Sequence, residues 1–173
     1  SDQKNYCSAF GSCYIKNVKN CESPQWLKDK LSSIGLKPIS ALVDITNYIL
    51  FDYNRPLHVY DADKISGDIV IRSAKKDEFF LGLDDKEYTL SEGMCVIADE
   101  KQPLGLGGIL GGSLSACNTN TTNVLLESAL FIPANIASTG RKLFIDSDAR
   151  YRFERGVDSN SLNIGLDRAA NLI

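Results

Sequence analysis

Glu127 is the residue of this chain whose position most needs a chemical explanation, because it lies within a run of apolar residues. It follows Val124-Leu125-Leu126 and precedes Ala129-Leu130-Phe131, in a segment whose composition predicts a strand. Burying a carboxylate is costly unless it is paired or hydrogen-bonded. Two interpretations follow: a glutamate at a sheet edge that faces solvent, or a carboxylate at the bottom of an apolar pocket that accepts a hydrogen bond from a ligand hydroxyl.

A glycine-dense loop, Gly105–Gly112, precedes this strand and has five glycines in eight residues. It is not a dinucleotide-binding G-x-G-x-x-G, because Leu110 stands at the last glycine position, and it lacks the Gly-Lys-Ser/Thr of a P-loop. The two remaining interpretations are a tightly packed bend and a nest of backbone N–H groups near Gly111 and Gly112. Such a nest would bind a ligand oxygen together with Glu127.

His58 and the segment Ser147-Asp148-Ala149 carry the other side chains with catalytic potential. A Ser-His-Asp hydrolase is disfavoured because the chain has no G-x-S-x-G sequence, and a lone histidine is often structural. With one histidine and five cysteines that have no C-x-x-C spacing, no zinc or other metal set is expected. We expect the cysteines to be reduced and the protein to be cytoplasmic.

Basic residues cluster towards the C-terminal end although the net charge of the chain is −3. The basic residues are Arg141, Lys142, Arg150, Arg152 and Arg155, and the acidic residues among them are Asp146, Asp148 and Glu154. This pattern fits either a solvated surface of mutually paired charges or a modest surface that contacts phosphates.

The elements that must position these residues are predicted from periodicity and from helix and strand breakers. Strands are expected at Tyr6–Val18, Ile69–Ile71, Met94–Ala98 and Val124–Phe131, with a hairpin over Phe79–Leu90 that turns at Asp84-Asp85. Helices are expected from Ser23-Pro24 (as N-cap and N1) to Gly35, with Trp26, Leu27, Leu31 and Ile34 on one face, and over Ser40–Leu50, Pro133 to about Leu143, and from Ser159 onward.

This order of elements predicts an α+β fold with a mixed or antiparallel, barrel-like sheet core flanked by helices, because it lacks a βαβ rhythm. Residues 1–66 are expected to be the helix-rich part, and residues 67–173 the β-rich part with C-terminal helices. No apolar run reaches the ~18 residues that span a membrane. Since the chain does not begin with Met, we expect it to be a piece of a longer polypeptide.

Five segments in order resemble the editing region of bacterial phenylalanyl-tRNA synthetase β subunits. They are Asp44–Tyr48, Arg55–Asp61, Gly107–Gly112, Val124–Glu127 and Asp148–Asp158. The resemblance covers the chain from about Tyr6 to its end. Each segment alone is weak, but five in the same order are highly specific.

The resemblance implies a proofreading module that hydrolyses Tyr-tRNA(Phe). A phenylalanine pocket rejects an added hydroxyl by only ~10²-fold, whereas a site that hydrogen-bonds the phenol rejects phenylalanine by roughly 10⁴–10⁵-fold. By motif match, Glu127 and the Gly111 and Gly112 backbone read the phenol, and Ser147 and Ala149 line the pocket, where Ala149 leaves room for the ring. His58 is implied near the ester as a group that orients water or ribose.

The resemblance also implies partners and cofactors of the parent enzyme. The partners are tRNA(Phe), with Arg141, Lys142, Arg150 and Arg152 as candidate contacts, and an α subunit in a heterotetramer of two α and two β chains. ATP and Mg²⁺ belong by resemblance to the parent ligase, and no cofactor is expected in this fragment.

This chain departs from the family at three positions. Ser147 replaces the usual threonine, and Arg150 and Tyr151 replace a small polar residue and a histidine. The alternatives are a tRNA-positioning scaffold without editing and a free-standing hydrolase or amino-acid sensor.

Overall fold

Alternating and β-branched residues form nine strands within residues 6–173, the part of the chain that the computed structural model describes. In chain order they are Cys7–Lys16 (β1), His58–Asp61 (β2), Val70–Ser73 (β3), Glu78–Leu81 (β4), Glu87–Leu90 (β5), Cys95–Ala98 (β6), Pro103–Leu106 (β7), Leu110–Gly111 (β8) and Asn123–Phe131 (β9). The strands predicted from the sequence are confirmed with small shifts of their ends. The predicted hairpin is β4–β5, and its turn holds Asp85 at a φ of 59°.

Five α-helices accompany these strands within residues 6–173. They are Gln25–Ser33 (α1), Ala41–Asp52 (α2), Pro133–Leu143 (α3), Asp148–Phe153 (α4) and Ser161–Ala170 (α5). The predictions of α1, α2, α3 and a C-terminal helix are confirmed, and Gly35, where α1 was predicted to end, follows the C-cap residue with a φ of 84°. None of the helices among residues 6–173 has both the length and the apolarity that a bilayer crossing requires.

Two details predicted for α1 are wrong. Pro24, not Ser23, occupies the N-cap position. The Ser23 hydroxyl instead donates to the buried carboxylate of Asp44, at 2.5 Å, which satisfies that carboxylate rather than the helix end. Trp26 and Ile34 were predicted on one apolar face with Leu27 and Leu31, but they are 43% and 52% exposed, whereas Leu27 and Leu31 are buried.

The strands form three sheets, with the orders β1-β9-β2, β3-β6-β7-β8 and β4-β5. The pairs β2–β9, β3–β6, β4–β5, β6–β7 and β7–β8 are antiparallel. Antiparallel sheets combined with separate helices confirm the predicted α+β class.

The described chain divides into two compact units. Unit 1 comprises residues 6–10, Lys64–Ala116 and Ala129–Val157, and unit 2 comprises Gly11–Asp63, Cys117–Ser128 and Asp158–Ile173. Unit 2 has an apolar core whose buried members are Val18, Leu27, Leu31, Leu42, Ile45, Ile49, Val59, Val124, Leu126, Leu166 and Ala169. The buried apolar residues of unit 1 include Phe80, Leu90, Val96, Leu104, Leu106, Ile136 and Phe153.

Two buried polar side chains fix the segment that leads into β2 within unit 2. Asp44, on α2, accepts hydrogen bonds from the Ser23 hydroxyl and from the backbone N–H of Ile39 (2.9 Å). The Arg55 guanidinium, which is fully buried, donates to the backbone carbonyl of Asp158. Buried charged groups are tolerated when they are hydrogen-bonded in this way, and β2 therefore begins from a fixed point.

Candidate functional site

His58, Tyr60 and Glu127 lie on one face of the β2–β9 strand pair in unit 2. His58 is directly opposite Glu127 in the register, and Tyr60 is opposite Leu125. Because side chains alternate along a strand, His58 and Tyr60 project from the same face as Glu127. The residues between them, such as Val59, belong to the core on the other face. The face that bears Glu127 is therefore the one that unit 2 does not use for its core.

The Glu127 side chain is a buried carboxylate that is hydrogen-bonded to the phenol of Tyr60. It is 5% exposed, and the Tyr60 hydroxyl donates to its Oε2 atom, while Tyr60 itself is 1% exposed. Burial raises the pKa of Glu127 to about 7, and the hydrogen bond from Tyr60 opposes that rise. The solvent-facing interpretation of Glu127 is excluded by its burial. Its environment is that of a hydrogen-bond acceptor held in an apolar strand.

His58 is a neutral imidazole beside this carboxylate. Its ring meets the Tyr60 ring edge to face, with centroids 4.4 Å apart. Burial lowers the pKa of His58 to about 4, so the ring is uncharged at neutral pH. Its Nε2 atom is buried and has no hydrogen-bond partner among the described residues. A buried polar atom left in this state is a natural contact point for a ligand or water.

The opposite pKa shifts of His58 and Glu127 make the stability of unit 2 depend on pH. Between pH 4 and pH 6.5, His58 binds fewer protons in the folded state than in the unfolded chain. The free energy of unfolding therefore falls as the pH is lowered through this range. Glu127 binds more protons in the folded state between about pH 4.5 and pH 7, so its contribution falls as the pH rises. The two contributions oppose each other where their ranges overlap.

Replacing His58 by glutamine is expected to remove one of these two contributions. Between pH 6.5 and pH 4, the wild type should lose on the order of 1–3 kcal/mol of unfolding free energy relative to H58Q. Urea unfolding of both proteins at several pH values measures this difference. His58 is the one histidine of the chain, so no other imidazole contributes. A difference that stays constant with pH would show that His58 is not buried in the neutral form.

The glycine loop in unit 1 has packing reasons for several of its glycines. Gly108 has a φ of 67°, and a Cβ there would lie 2.8 Å from the Phe131 ring. A Cβ on Gly107 would lie 2.7 Å from Cys95 Sγ, and one on Gly112 would lie 2.6 Å from the Leu104 carbonyl oxygen. Of the two interpretations given by the sequence, tight packing is therefore correct for these three positions.

The backbone N–H groups of the loop are partly committed. Gly112 N–H donates to the Leu104 carbonyl (2.8 Å), which leaves it unable to bind a ligand oxygen. Because bonded and non-bonded pairs alternate in an antiparallel ladder, the neighbouring pair of Gly105 and Gly111 is non-bonded. The N–H of Gly111 therefore points away from β7, on the side where its carbonyl accepts from Leu83 N–H (2.9 Å). The role of Gly111 in reading a ligand stays a prediction.

Ser147 joins the start of α4 to the glycine loop within unit 1. Its hydroxyl donates to the Ile109 carbonyl (2.7 Å) and accepts from Arg150 N–H (3.1 Å), as an N-cap does. Ala149 is the second residue of this helix and is half-buried. The resemblance implies that Ser147 and Ala149 line the pocket, which stays a prediction; the structure shows that Ser147 is hydrogen-bonded to the glycine loop.

Two of the four basic candidates are used inside unit 1. Arg150 bonds the Ile145 carbonyl (2.6 Å) and pairs with Glu154 (3.1 Å). Arg152 bonds both the carbonyl (2.9 Å) and the carboxylate (3.0 Å) of Asp148. The interpretation of a surface of mutually paired charges fits these two residues, because both form ion pairs and hydrogen bonds within unit 1.

Arg141 and Lys142 differ from this pair because they are exposed and form no ion pair with another described residue. They end α3, and Phe144 follows them in the left-handed region (φ 54°) with 94% of its surface exposed. A bulky residue with positive φ is rare, and an exposed aromatic ring beside two cations is a platform on which a nucleobase can stack. We call Arg141, Lys142 and Phe144 the α3-end surface.

Tyr60 and Phe144 are the residues that sequence reasoning missed. Tyr60 follows His58 by two positions, so strand alternation would have put it on the same face as His58 had β2 been recognised, but its position relative to Glu127 depends on the pairing with β9. Phe144 stands just after a helix, where glycine is the usual residue. Its departure from that preference was a visible signal.

Within the part of the chain that the structure describes, no three His, Cys, Asp or Glu side chains gather closely enough to hold an ion. The five cysteines are present as thiols.

Comparison with known proteins gives the following matches. A family model described as the B3/4 domain matches residues 6–173. The chain is 54% identical over 167 residues to the phenylalanine–tRNA ligase beta subunit of Rhodopseudomonas palustris, covering 96% of this chain and 21% of that protein. It is 55% identical over 168 residues to the subunit of the same name from Rhodospirillum rubrum, with 96% and 21% covered.

A solved structure shares the fold. It is an N-terminal fragment of the phenylalanyl-tRNA synthetase β-subunit from Pyrococcus horikoshii, with a TM-score of 0.59, 15% identity, and coverage of 98% of this chain and 45% of that one. At this identity the match supports the fold and not the chemistry. The chain spans about a fifth of the length of the curated relatives given above.

Proposed function

This chain belongs to the B3/4 domain family, and we propose that it is the proofreading module of a phenylalanine–tRNA ligase β subunit, which hydrolyses Tyr-tRNA(Phe). The relatives that carry this domain at 54–55% identity are named as that subunit. The observation that carries the proposal is the Glu127 carboxylate, which is buried in an apolar strand and already accepts a hydrogen bond from a phenol. A site that binds the Tyr60 hydroxyl has the chemistry to bind the hydroxyl of a tyrosyl group.

Discrimination between tyrosine and phenylalanine follows from the energetics of buried polar groups. A phenylalanyl ring brought to Glu127 would cover the carboxylate without giving it a hydrogen bond, which costs about 1–3 kcal/mol or more for a charged group. A tyrosyl ring brings its own donor. This asymmetry supports hydrolysis of the wrong ester and sparing of the correct one.

The reaction requires no covalent enzyme intermediate. A water oxygen bonds to the aminoacyl carbonyl carbon, the bond from that carbon to the ribose oxygen breaks, and the water proton passes to the ribose oxygen. Free tyrosine and uncharged tRNA result. The neutral His58 ring, with one donor and one acceptor nitrogen, is suited to orient the water or the ribose hydroxyl.

Further roles in the proposal come from the resemblance. Gly111 N–H would add a second contact to the phenol, and Ala149 would leave room for the ring. Ser147 would hold the start of α4 against the glycine loop, consistent with its two hydrogen bonds. Gly112 would contribute by allowing close approach rather than by donating a hydrogen bond.

The parent enzyme's activity is part of the same proposal. Attachment of phenylalanine to tRNA(Phe), with ATP and Mg²⁺, would belong to the assembled ligase with its α subunit, in a heterotetramer in the cytoplasm. Among the described residues, no three His, Cys, Asp or Glu side chains form a cluster that could hold a metal ion.

A tRNA-positioning module without editing is the alternative function. The observation in its favour is again Tyr60, whose hydroxyl already occupies one oxygen of Glu127. The two functions are distinguished by giving purified Tyr-tRNA(Phe) and Phe-tRNA(Phe) to the protein and following deacylation of each. Editing predicts faster loss of the tyrosyl ester alone, whereas equal background loss of both esters would support the scaffold.

The α3-end surface is expected to contribute to tRNA binding. The double variant R141E/K142E should weaken tRNA(Phe) binding. The plot of log association constant against log salt concentration should become less steep by about 2, because two phosphate contacts would be lost. Filter binding at several salt concentrations measures both quantities. The matched control is K75E/K76E, which makes the same charge change at two exposed lysines of the same unit. If both double variants weakened binding equally, the effect would come from net charge and not from this surface.

A further inference from the structure

We propose that Tyr60 is a positioning residue for phenol reading: its hydroxyl holds the Glu127 side chain as an acceptor and leaves the second carboxylate oxygen for the ligand. This inference rests on the proposed function and adds a residue to which no role had been assigned.

The register fixes how Tyr60 reaches Glu127. His58, and not Tyr60, stands directly opposite Glu127, so Tyr60 approaches from the diagonal position of the neighbouring strand. The His58 ring packs edge-on against the Tyr60 ring and limits where the phenol can move. A phenol held in this way constrains the rotation of the carboxylate to which it donates.

The carboxylate has capacity for a second phenol. An ionised glutamate offers two oxygens with about four lone-pair directions. The Tyr60 hydroxyl uses Oε2, and among the described residues no other side chain donates to Glu127. Oε1 therefore stays available to a ligand hydroxyl without displacement of Tyr60.

The surroundings make this hydrogen bond consequential. Burial raises the pKa of Glu127 to about 7, so a neutral carboxylic acid competes with the carboxylate at physiological pH, and the Tyr60 bond favours the carboxylate. The titratable neighbours on β2 are Tyr60 and the neutral His58. On the adjacent strand β1, Tyr14 and Lys16 are exposed, and no charged side chain shifts the pKa of Glu127.

The opposite role is also physically possible, since Tyr60 could act as an internal competitor that blocks the ligand phenol. Competition would require that Tyr60 and the ligand use the same oxygen. The two roles predict opposite results when the hydroxyl is removed: a positioning hydroxyl is needed for tyrosine reading, whereas a competing hydroxyl hinders it.

The test removes the hydroxyl with Tyr60→Phe in the full chain and reads Glu127 directly. Titration of the ¹³C-labelled glutamate carboxyls by NMR, with Glu127→Gln to assign the resonance, should give a midpoint about one unit or more higher in Y60F, the size expected for a hydrogen bond to a charged group. Hydrolysis of Tyr-tRNA(Phe) at pH 7 should fall about fivefold if the midpoint moves from 7 to 8, and should recover as the pH rises. The matched control is Tyr88→Phe, which removes the phenol hydroxyl of a half-buried tyrosine that donates to Asp84 (2.7 Å).

Each outcome decides one claim. An unchanged Glu127 midpoint in Y60F, or faster hydrolysis with an unchanged pH profile, overturns the positioning role. A raised midpoint in a protein whose wild type does not hydrolyse Tyr-tRNA(Phe) upholds the effect of Tyr60 on Glu127 and overturns the proposed function instead. Should Y60F fail to fold, incorporation of 3-fluorotyrosine, a more acidic donor, is expected to lower the midpoint, and an unchanged or raised value overturns the inference.

Discussion

Replacement of Glu127 by alanine is expected to lower the rate of Tyr-tRNA(Phe) hydrolysis by about 10- to 100-fold and to leave Phe-tRNA(Phe) at background. The factor corresponds to loss of one hydrogen bond to a charged, buried acceptor, which is worth about 1.5–3 kcal/mol. The ligand phenol would lose its partner, and the buried Tyr60 hydroxyl would lose its own. Deacylation of each ester by E127A and by wild type, measured at pH 8 where Glu127 is mostly ionised, checks this expectation.

Two control variants separate reading of the phenol from general damage. E127Q keeps an acceptor oxygen of the same shape and should retain part of the activity, with a rate that no longer depends on the ionisation of residue 127. Glu87→Ala removes an exposed glutamate at the start of β5 and should leave the rates unchanged. Equal hydrolysis by E127A and wild type, with both proteins folded by circular dichroism, would remove Glu127 from the proposed site.

How much of this site could be predicted depended on whether local sequence determined the geometry. Glu127 was identifiable because a carboxylate inside an apolar strand is costly, and its burial is confirmed. The partner hydroxyl of Tyr60 was not identifiable, because it comes from a strand of four residues whose pairing depends on a contact 67 positions away in sequence. Long-range register of this kind is set by tertiary packing, which no local pattern encodes.

The glycine loop shows a second limit. Its glycine density indicated either a ligand nest or tight packing, and both interpretations predict the same residues. The structure separates them only in part: Gly107, Gly108 and Gly112 are crowded by neighbouring atoms, whereas the role of Gly111 stays a prediction. Sequence could not make this separation, because the crowding atoms of Phe131 and Cys95 come from other strands.

The fold was predictable where breakers and periodicity agreed, and less so where a short element depended on its side chains. Pro133 and the apolar spacing after it predicted α3 to within its observed ends, Pro133–Leu143. Helix α4 was not predicted, because six residues give too little periodicity. Its stability rests on the Ser147 cap and on the i,i+4 pair of Arg152 with Asp148.

Replacement of Ala149 by tryptophan is expected to reduce Tyr-tRNA(Phe) hydrolysis to the uncatalysed rate while Phe-tRNA synthesis by the parent enzyme continues. Ala149 is the second residue of α4 and is half-buried, and the Ser147 hydroxyl bonds the start of that helix to the Ile109 carbonyl in the glycine loop. An indole at this position would fill the space that the resemblance assigns to the tyrosyl ring. Overpacking would also cost about 1–3 kcal/mol, so unfolding must be measured alongside.

The matched control for A149W is Ala134→Trp, since Ala134 is likewise the second residue of a helix in unit 1 but is exposed. It should hydrolyse Tyr-tRNA(Phe) at the wild-type rate. If A149W folded and hydrolysed the ester as fast as A134W, Ala149 would not line the ring-binding space, and the match to the family segment would be limited to the cap formed by Ser147. Loss of hydrolysis in A149W alone would show that α4 provides the space for the tyrosyl ring. Space at Ala149 and a hydrogen-bond acceptor at Glu127 would then be two separate requirements for hydrolysis of Tyr-tRNA(Phe).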